Sequence, residues 1–237
     1  RKTITLSFNT NGGSTINAIS GKYGATVSKP SDPTKTGYTF GWWNTAIPNT
    51  FPAENATYTA SWNVVTYTIT YTLNGWTNAS GNPSSYTVES NAITLSAPTK
   101  AWYTFAWWTG SNGTTAQTSV TIAKWSTGNK SYTANWTANT NTPYKVYHQK
   151  EKLDGTYETV ETENLSWTTD TKVTPSRKSY AWFTSPSGQE ITIKWDGTAS
   201  VTYKYARKTI TLSFNTNGGS TINAISGKYG ATVSKPS

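Results

Sequence analysis

The stretch Pro33-Thr34-Lys35-Thr36-Gly37-Tyr38-Thr39-Phe40-Gly41-Trp42-Trp43 decides how this chain is read. It returns 65 residues later as Pro98-Thr99-Lys100-Ala101-Trp102-Tyr103-Thr104-Phe105-Ala106-Trp107-Trp108. Proline and lysine mark a bend in each copy, and the aromatic run behind it has the composition of a strand entering a core. A longer repeat surrounds these two copies. Residues 207–237 are identical to residues 1–31, an offset of 206. The chain is one repeat of 206 residues followed by the start of another, and self-similarity at fixed distance is the signature of units stacked in tandem.

Working outward, residues 3–8 (TITLSF) alternate as a strand does, Asn11-Gly12-Gly13 reads as a turn, and Ile16, Ile19, Tyr23 and Val27 mark a second extended stretch broken by Gly21 and Gly24. Thr57–Trp62 closes a first module at residues 1–63. A second, longer module at 64–137 repeats the plan with Thr66–Leu73, Tyr86–Leu95, the second aromatic copy and Ser131–Trp136. Residues 138–206 hold a polar linker and a third module of another type. In it Tyr144–Lys152 and Thr156–Glu163 flank Asp154-Gly155, and Ile191–Trp195 and Ser200–Tyr205 flank Asp196-Gly197; both read as hairpins. Residues 207–237 hold the first strands of a further module. They are too few to bury a core alone and are expected to lean on residues 143–206 or on a neighbouring chain. No segment sustains a 3.6-residue period, so helix is limited to a turn or two, near Ala18–Gly21 or Glu161–Ser166. The fold class is mainly β, α+β at most, in tandem small modules.

Composition narrows the chemistry. Only 34% of the 237 residues are hydrophobic and 13% charged, yet 14% are aromatic, which separates this polar chain from a disordered one. The net charge of +9 is inflated by the duplicated segment. Arg207, Lys208, Lys228 and Lys235 belong to it, and its basic residues are scattered, so nucleic acid is not an expected partner. The absence of cysteine excludes a disulfide framework and thiol chemistry. No run is long and apolar enough to span a membrane as a helix. The single histidine, His148, sits on a polar strand and reads as a surface or edge residue. Glu151, Glu158, Glu161 and Glu163 share a hairpin with Lys150 and Lys152, which suggests cross-strand pairing. Asp154 and Asp196 precede glycines in turns. No catalytic, metal-binding or cofactor-binding residue stands out, and the chain is expected not to be an enzyme. A Lys–Asn or Lys–Asp isopeptide bond would suit a surface module without cysteine, but spacing selects no trio for one.

The pattern TITLSFNTNGGS…YGATVSKPSDPTKTGYTF…W…TYTASW at residues 3–62 resembles the Listeria–Bacteroides repeat, the B-repeat type of internalin-like surface proteins. Residues 68–136 resemble a longer variant. Residues 143–205, with PYKVYHQKEKLDGTYETVETENL, are similar to the mucin-binding-protein-like modules that accompany such repeats. The resemblance implies small β-grasp-like folds strung along bacterial surface proteins, an extracellular or cell-surface location, and no enzyme activity.

Tryptophan departs from that pattern. Trp43, Trp62, Trp108 and Trp136 fall where the family carries tryptophan. Trp42, Trp76, Trp102, Trp107, Trp125, Trp167, Trp182 and Trp195 fall mostly where it leads one to expect glycine, and Trp102 aligns with Gly37 of this same chain. One codon links the two residues: some bacterial lineages read UGA as glycine, and a common alternative code reads it as tryptophan. The eight are therefore expected to be glycines in the native protein, with strain wherever tryptophan stands at a positive-φ turn.

These readings converge on a structural segment of a very long bacterial surface protein: a stalk, spacer or filament whose partners are adjacent repeats and neighbouring copies. The alternative is a repeat that itself binds host or neighbour-cell glycans or proteins with avidity. A spacer turns its aromatics inward, so Tyr38, Phe40, Trp43, Tyr58, Trp62 and their second-module counterparts fill small cores. A binder exposes an aromatic patch at one place in each module.

Overall fold

The computed structural model describes residues 1–236, and among them regular structure consists of strands, with turns between. The chain divides into two compact units, Arg1–Pro98 with Ala106–Asn135, and Thr99–Phe105 with Trp136–Ser237.

In the first unit, β1 (Thr3–Asn9), β2 (Ile19–Lys22), β3 (Tyr38–Trp43) and β4 (Ala56–Val64) form a sheet ordered β2-β1-β4-β3. The outer pairs are antiparallel, whereas β1 and β4 run parallel with Phe8 opposite Tyr58. This is a β-grasp-like order. Alternation along β1 sends Ile4 and Leu6 to one face, where both are fully buried against Val27, Ile47, Phe51 and Tyr58. Phe8 stacks on Tyr58 at 5.7 Å and meets Trp43 edge-on at 5.5 Å, so large rings supply much of this small core's apolar area. Trp62 lies over the Gly12-Gly13 turn and donates from its indole to the Thr10 carbonyl at 3.0 Å. A Cβ on Gly13 would come within 2.4 Å of that indole.

The second module repeats this with β5 (Tyr67–Thr72), β6 (Ser85–Tyr86), β7 (Ile93–Thr94), β8 (Tyr103–Gly110), β9 (Gly113–Gln117), β10 (Thr121–Ile122) and β11 (Lys130–Ala138). Its main sheet is ordered β6-β5-β11-β8-β9, with β5 and β11 parallel, beside a ribbon of β7 and β10. The β8–β9 hairpin accounts for the extra length before the closing strand. Trp108 is fully buried here, packed on Tyr71 and Tyr132.

In the second unit, β12 (Thr142–Glu151), β13 (Tyr157–Trp167), β14 (Lys172–Val173), β15 (Phe183–Thr184), β16 (Ile191–Thr192) and β17 (Ser200–Arg207) give a sheet β13-β12-β17-β15 and a ribbon β14–β16. Tyr144, Val146, Ile193, Ala199, Val201, Tyr203 and Tyr205 form its core. The Asp154-Gly155 hairpin forms as expected: Lys152 N–H bonds Thr156 O at 2.7 Å, and the Asp154 carboxylate caps Thr156 N–H at 2.9 Å. The residues around Asp196-Gly197 turn as expected but make no hairpin. Ile191–Thr192 pairs with β14, and Ser200–Arg207 pairs with β12 and β15. The distant parallel partner wins because it buries Val201, Tyr203 and Tyr205 together. The helical turns expected at 18–21 and 161–166 are absent; those residues lie largely in β2 and β13. Finally β18 (Thr209–Leu212) and β19 (Ile225–Lys228) form a hairpin in the same register as β1 and β2.

Candidate functional site: the module junctions

A single backbone arrangement recurs where each module meets the next. The residue before the aromatic strand has a left-handed backbone: Gly37 at φ +79, Trp102 at +59 and Trp182 at +67. The turn behind it closes through Tyr38 N–H to Lys35 O, Tyr103 N–H to Lys100 O, and Phe183 N–H to Tyr180 O, at 3.0, 3.2 and 3.2 Å. Its outward carbonyl accepts an N–H from the segment that begins the following module. Val65 bonds Gly37 at 2.9 Å, Asn139 bonds Trp102 at 3.0 Å, and Lys208 bonds Trp182 at 2.9 Å. The left-handed twist is what aims that carbonyl away from its own sheet. At the first junction the following module fills the space above the glycine: a Cβ on Gly37 would fall 2.1 Å from Val88 Cγ1.

Side chains reinforce the first two junctions. Tyr38 donates its hydroxyl to Glu89 at 2.7 Å, and Tyr103 donates its hydroxyl to Asp170. The Glu89 bond holds the Tyr38 phenol above its ordinary value, and burial, followed by the Asp170 bond, pushes Tyr103 up to about 12. Lys35 lies 4.4 Å over the Tyr38 ring and Lys100 3.5 Å over Tyr103, cation–π contacts that fix the phenols from the other side. Sequence reading passed over Glu89 and Asp170. The signal available was a tyrosine behind each bend, repeated at 65 residues, with a carboxylate in each following module.

The other titratable groups gather on the third module. His148 is fully buried, against the expectation of a surface or edge position, because parallel pairing with β17 makes β12 an interior strand. Its Nδ1 meets the Tyr205 hydroxyl at 2.9 Å and its Nε2 meets Glu163 at 3.2 Å. Tyr205 oxygen also accepts Lys178 N–H at 2.9 Å, so a hydroxyl proton directed at Nδ1 and an Nε2 proton directed at Glu163 satisfy the whole chain. Lys178 bridges Glu161 and Glu163, which hold its ammonium pKa well above the usual lysine value, while Lys178 holds both carboxyls low. The carboxylates of Glu151, Glu161 and Glu163 thus reach Lys228 and Lys178, a correction to the hairpin pairing expected from spacing, while Glu158 does stand opposite Lys150 in the register and the Lys150 ammonium lies over the Tyr180 ring. Among the described residues no group of three His, Asp or Glu side chains is placed to hold a metal ion.

Burial follows the sequence division of the tryptophans for six of the eight anomalous ones, while Trp76 and Trp102 are half-buried. Trp43, Trp62 and Trp136 are half-buried and Trp108 is fully buried, whereas Trp42, Trp107, Trp125, Trp167, Trp182 and Trp195 are exposed, up to 64% at Trp125. Trp102, Trp125 and Trp182 occupy left-handed backbone, the strained placement anticipated for them. Trp76 follows Gly75 at φ +86, as Gly13 follows Gly12 at φ +85.

A family model described as the Listeria-Bacteroides repeat domain matches residues 5–64 and 67–130. Over 251 residues the chain is 22% identical to a "Putative Gly-rich membrane protein" of Evansella cellulosilytica, an alignment covering 98% of this chain and 28% of that protein. It is 30% identical over 113 residues to a "Putative membrane protein" of the same organism, covering 44% of this chain and 17% of that one. The chain thus spans under a third of the length of either relative.

Proposed function

The chain belongs to the Listeria-Bacteroides repeat domain family, and from that premise we propose that it is a structural segment, a stalk, spacer or filament, of a large bacterial surface protein. The carrying observation is the latch that recurs at three successive junctions, from Val65 to Gly37, Asn139 to Trp102 and Lys208 to Trp182. A contact that each module makes with the next in one geometry can be extended without limit. The relatives' names, which speak of membrane proteins, support a place at the cell surface. The reading includes no catalytic role, and its partners are preceding and following repeats and neighbouring copies of the chain. Small-angle scattering from chains of one, two and three 206-residue repeats tests it. A maximum dimension rising in proportion to repeat number is expected, and a near-constant dimension would overturn the reading.

One observation favours a second reading, a repeat that binds glycans or proteins. Trp42 and Trp107 occupy equivalent positions in the two aromatic copies, and both are exposed. Trp42 stands opposite Ser61 in the β3–β4 register, and the Asn135 amide bonds the Trp107 carbonyl and the Thr109 hydroxyl, so each exposed indole rises from a sheet with polar neighbours, the setting a sugar ring stacks on. Quenching of indole fluorescence by glycans would favour it. Its absence, or glycine at both positions, leaves the spacer.

A further inference from the structure

The third junction keeps the backbone latch and changes every side chain around it. Phe183 replaces Tyr38 and Tyr103, so there is no hydroxyl to donate. The facing carboxylate is missing too. Asp170 follows Thr169, whose N–H bonds Asn139 O at 3.0 Å. The residue that follows Tyr229, whose N–H bonds Lys208 O at 2.9 Å, is Gly230. Donor and acceptor disappear together.

Glu151 takes over. β12 runs on to this residue, whose side chain is only 8% exposed. Its carboxylate accepts Arg207 N–H at 2.8 Å and meets the Lys228 ammonium, and its carbonyl accepts Arg207 Nε at 2.8 Å. Arg207 Nη1 continues to Tyr229 O at 2.7 Å. A carboxylate this enclosed is costly to leave without a cation. Tyr229 adds a ring stack on Trp182 with centroids 5.2 Å apart. Arg207, Lys228 and Tyr229 of the hairpin thus all engage the third module.

We propose that Glu151, with Phe183 under the Arg207 guanidinium, selects the module that follows. Its partner is a leading hairpin that begins Arg-Lys, ends Lys-Tyr-Gly and carries no acid, as Arg1–Gly24 and Arg207–Gly230 do, supplied by the next repeat of the same kind. The first two junctions donate a phenol hydrogen bond to a carboxylate of the following module, while the third offers a carboxylate to cations of the following module. A hairpin carrying Glu89 or Asp170 would bring an acid to the third junction without a donor, so the order of modules is written in these contacts. This rests on the spacer reading but is tested apart from it.

The experiment is limited trypsin digestion of the whole 237-residue chain, with and without Glu151→Gln, followed by intact mass. Cuts after Lys22 and Lys228 fall in identical sequence but leave fragments of different mass. Removing a carboxylate that accepts charged and backbone donors is expected to speed cleavage after Arg207, Lys208 and Lys228 about tenfold. The rate after Lys22, and after Lys145 and Lys150 inside the third module, should stay unchanged. Unchanged rates at residues 207–228 sink the proposal. If Lys145 and Lys150 also become labile, Lys228→Gln decides, because it leaves the third module intact. Faster cleavage after Arg207 and Lys208 alone then supports the selection, and no change rejects it. Neither result depends on how chain dimension scales with repeat number, so the spacer reading can stand where this one falls.

Discussion

Residue 37 and its counterparts, 102 and 182, show how much a single backbone angle carries. A left-handed residue turns its carbonyl toward the following module, and glycine is the residue that does so without strain. Gly37 does this with Val88 packed where a side chain would begin, whereas Trp102 and Trp182 hold the same angle with an indole attached. Trp125 adds a third case. The burial of the family-type tryptophans and the exposure of six of the other eight point the same way, since an indole with a role in a core is not left in solvent. Peptides from natively expressed protein are expected to carry glycine at positions 102, 125 and 182. Tryptophan at all three in that material would falsify the recoding of UGA and give the aromatic reading of Trp42 and Trp107 its footing. The anomaly itself was legible in the sequence, because Gly37 and Trp102 align within one chain. What sequence could not supply was the carbonyl latch to the following module and the distance to Val88.

At the scale of elements, local signals were read well and distant pairings were not. The β12–β13 hairpin follows from Asp154-Gly155 and flanking alternation. The parallel pairs β1–β4, β5–β11 and β12–β17 join strands about 50 or more residues apart, and no turn motif announces them. That is why His148 read as an edge residue and Ser200–Tyr205 as half of a hairpin. The same distant pairing creates the third module's polar cluster, with a testable consequence. The carboxyls of Glu161 and Glu163 are held below their ordinary value of 4.5, chiefly by Lys178. A depressed folded pKa contributes stability that is present above the unfolded value and is lost as pH falls through the folded one. Lys178 is raised above 10.5, so its share is full below that value and fades as pH rises through the higher folded one. The thermal midpoint of the third module should therefore hold level from about pH 5 to pH 10 as far as these groups set it, and fall below. Lys178→Met should lower that plateau and flatten the acid limb. An unchanged acid limb would show that the cluster contributes nothing to the fold.

For the whole molecule, the perfect duplication sets one sequence in two surroundings. In the first copy Ile4 and Leu6 are fully buried beneath Ile47, Phe51 and Tyr58. In the second, Leu212 is 41% exposed, although its strand pairs in identical register. Strand formation is therefore written in these 31 residues, while burial comes from residues 32–64, which supply β3, β4 and the loop that covers them. This division sets the cost of mutation. Leu6→Ala should cost about 2–5 kcal/mol, the range for truncating a buried leucine. Leu212→Ala, at a partly solvated site, should stay within about 0.5 kcal/mol. Chemical denaturation followed by tryptophan fluorescence distinguishes the two. The stronger test joins a second copy of residues 32–64 behind residue 237 with the intervening register preserved. The parallel strand and its covering loop would then be present, and Leu212→Ala should become as costly as Leu6→Ala. If it stayed neutral in the extended chain, the modules would not be equivalent units. Stacking like on like would then have to be argued from the junctions alone.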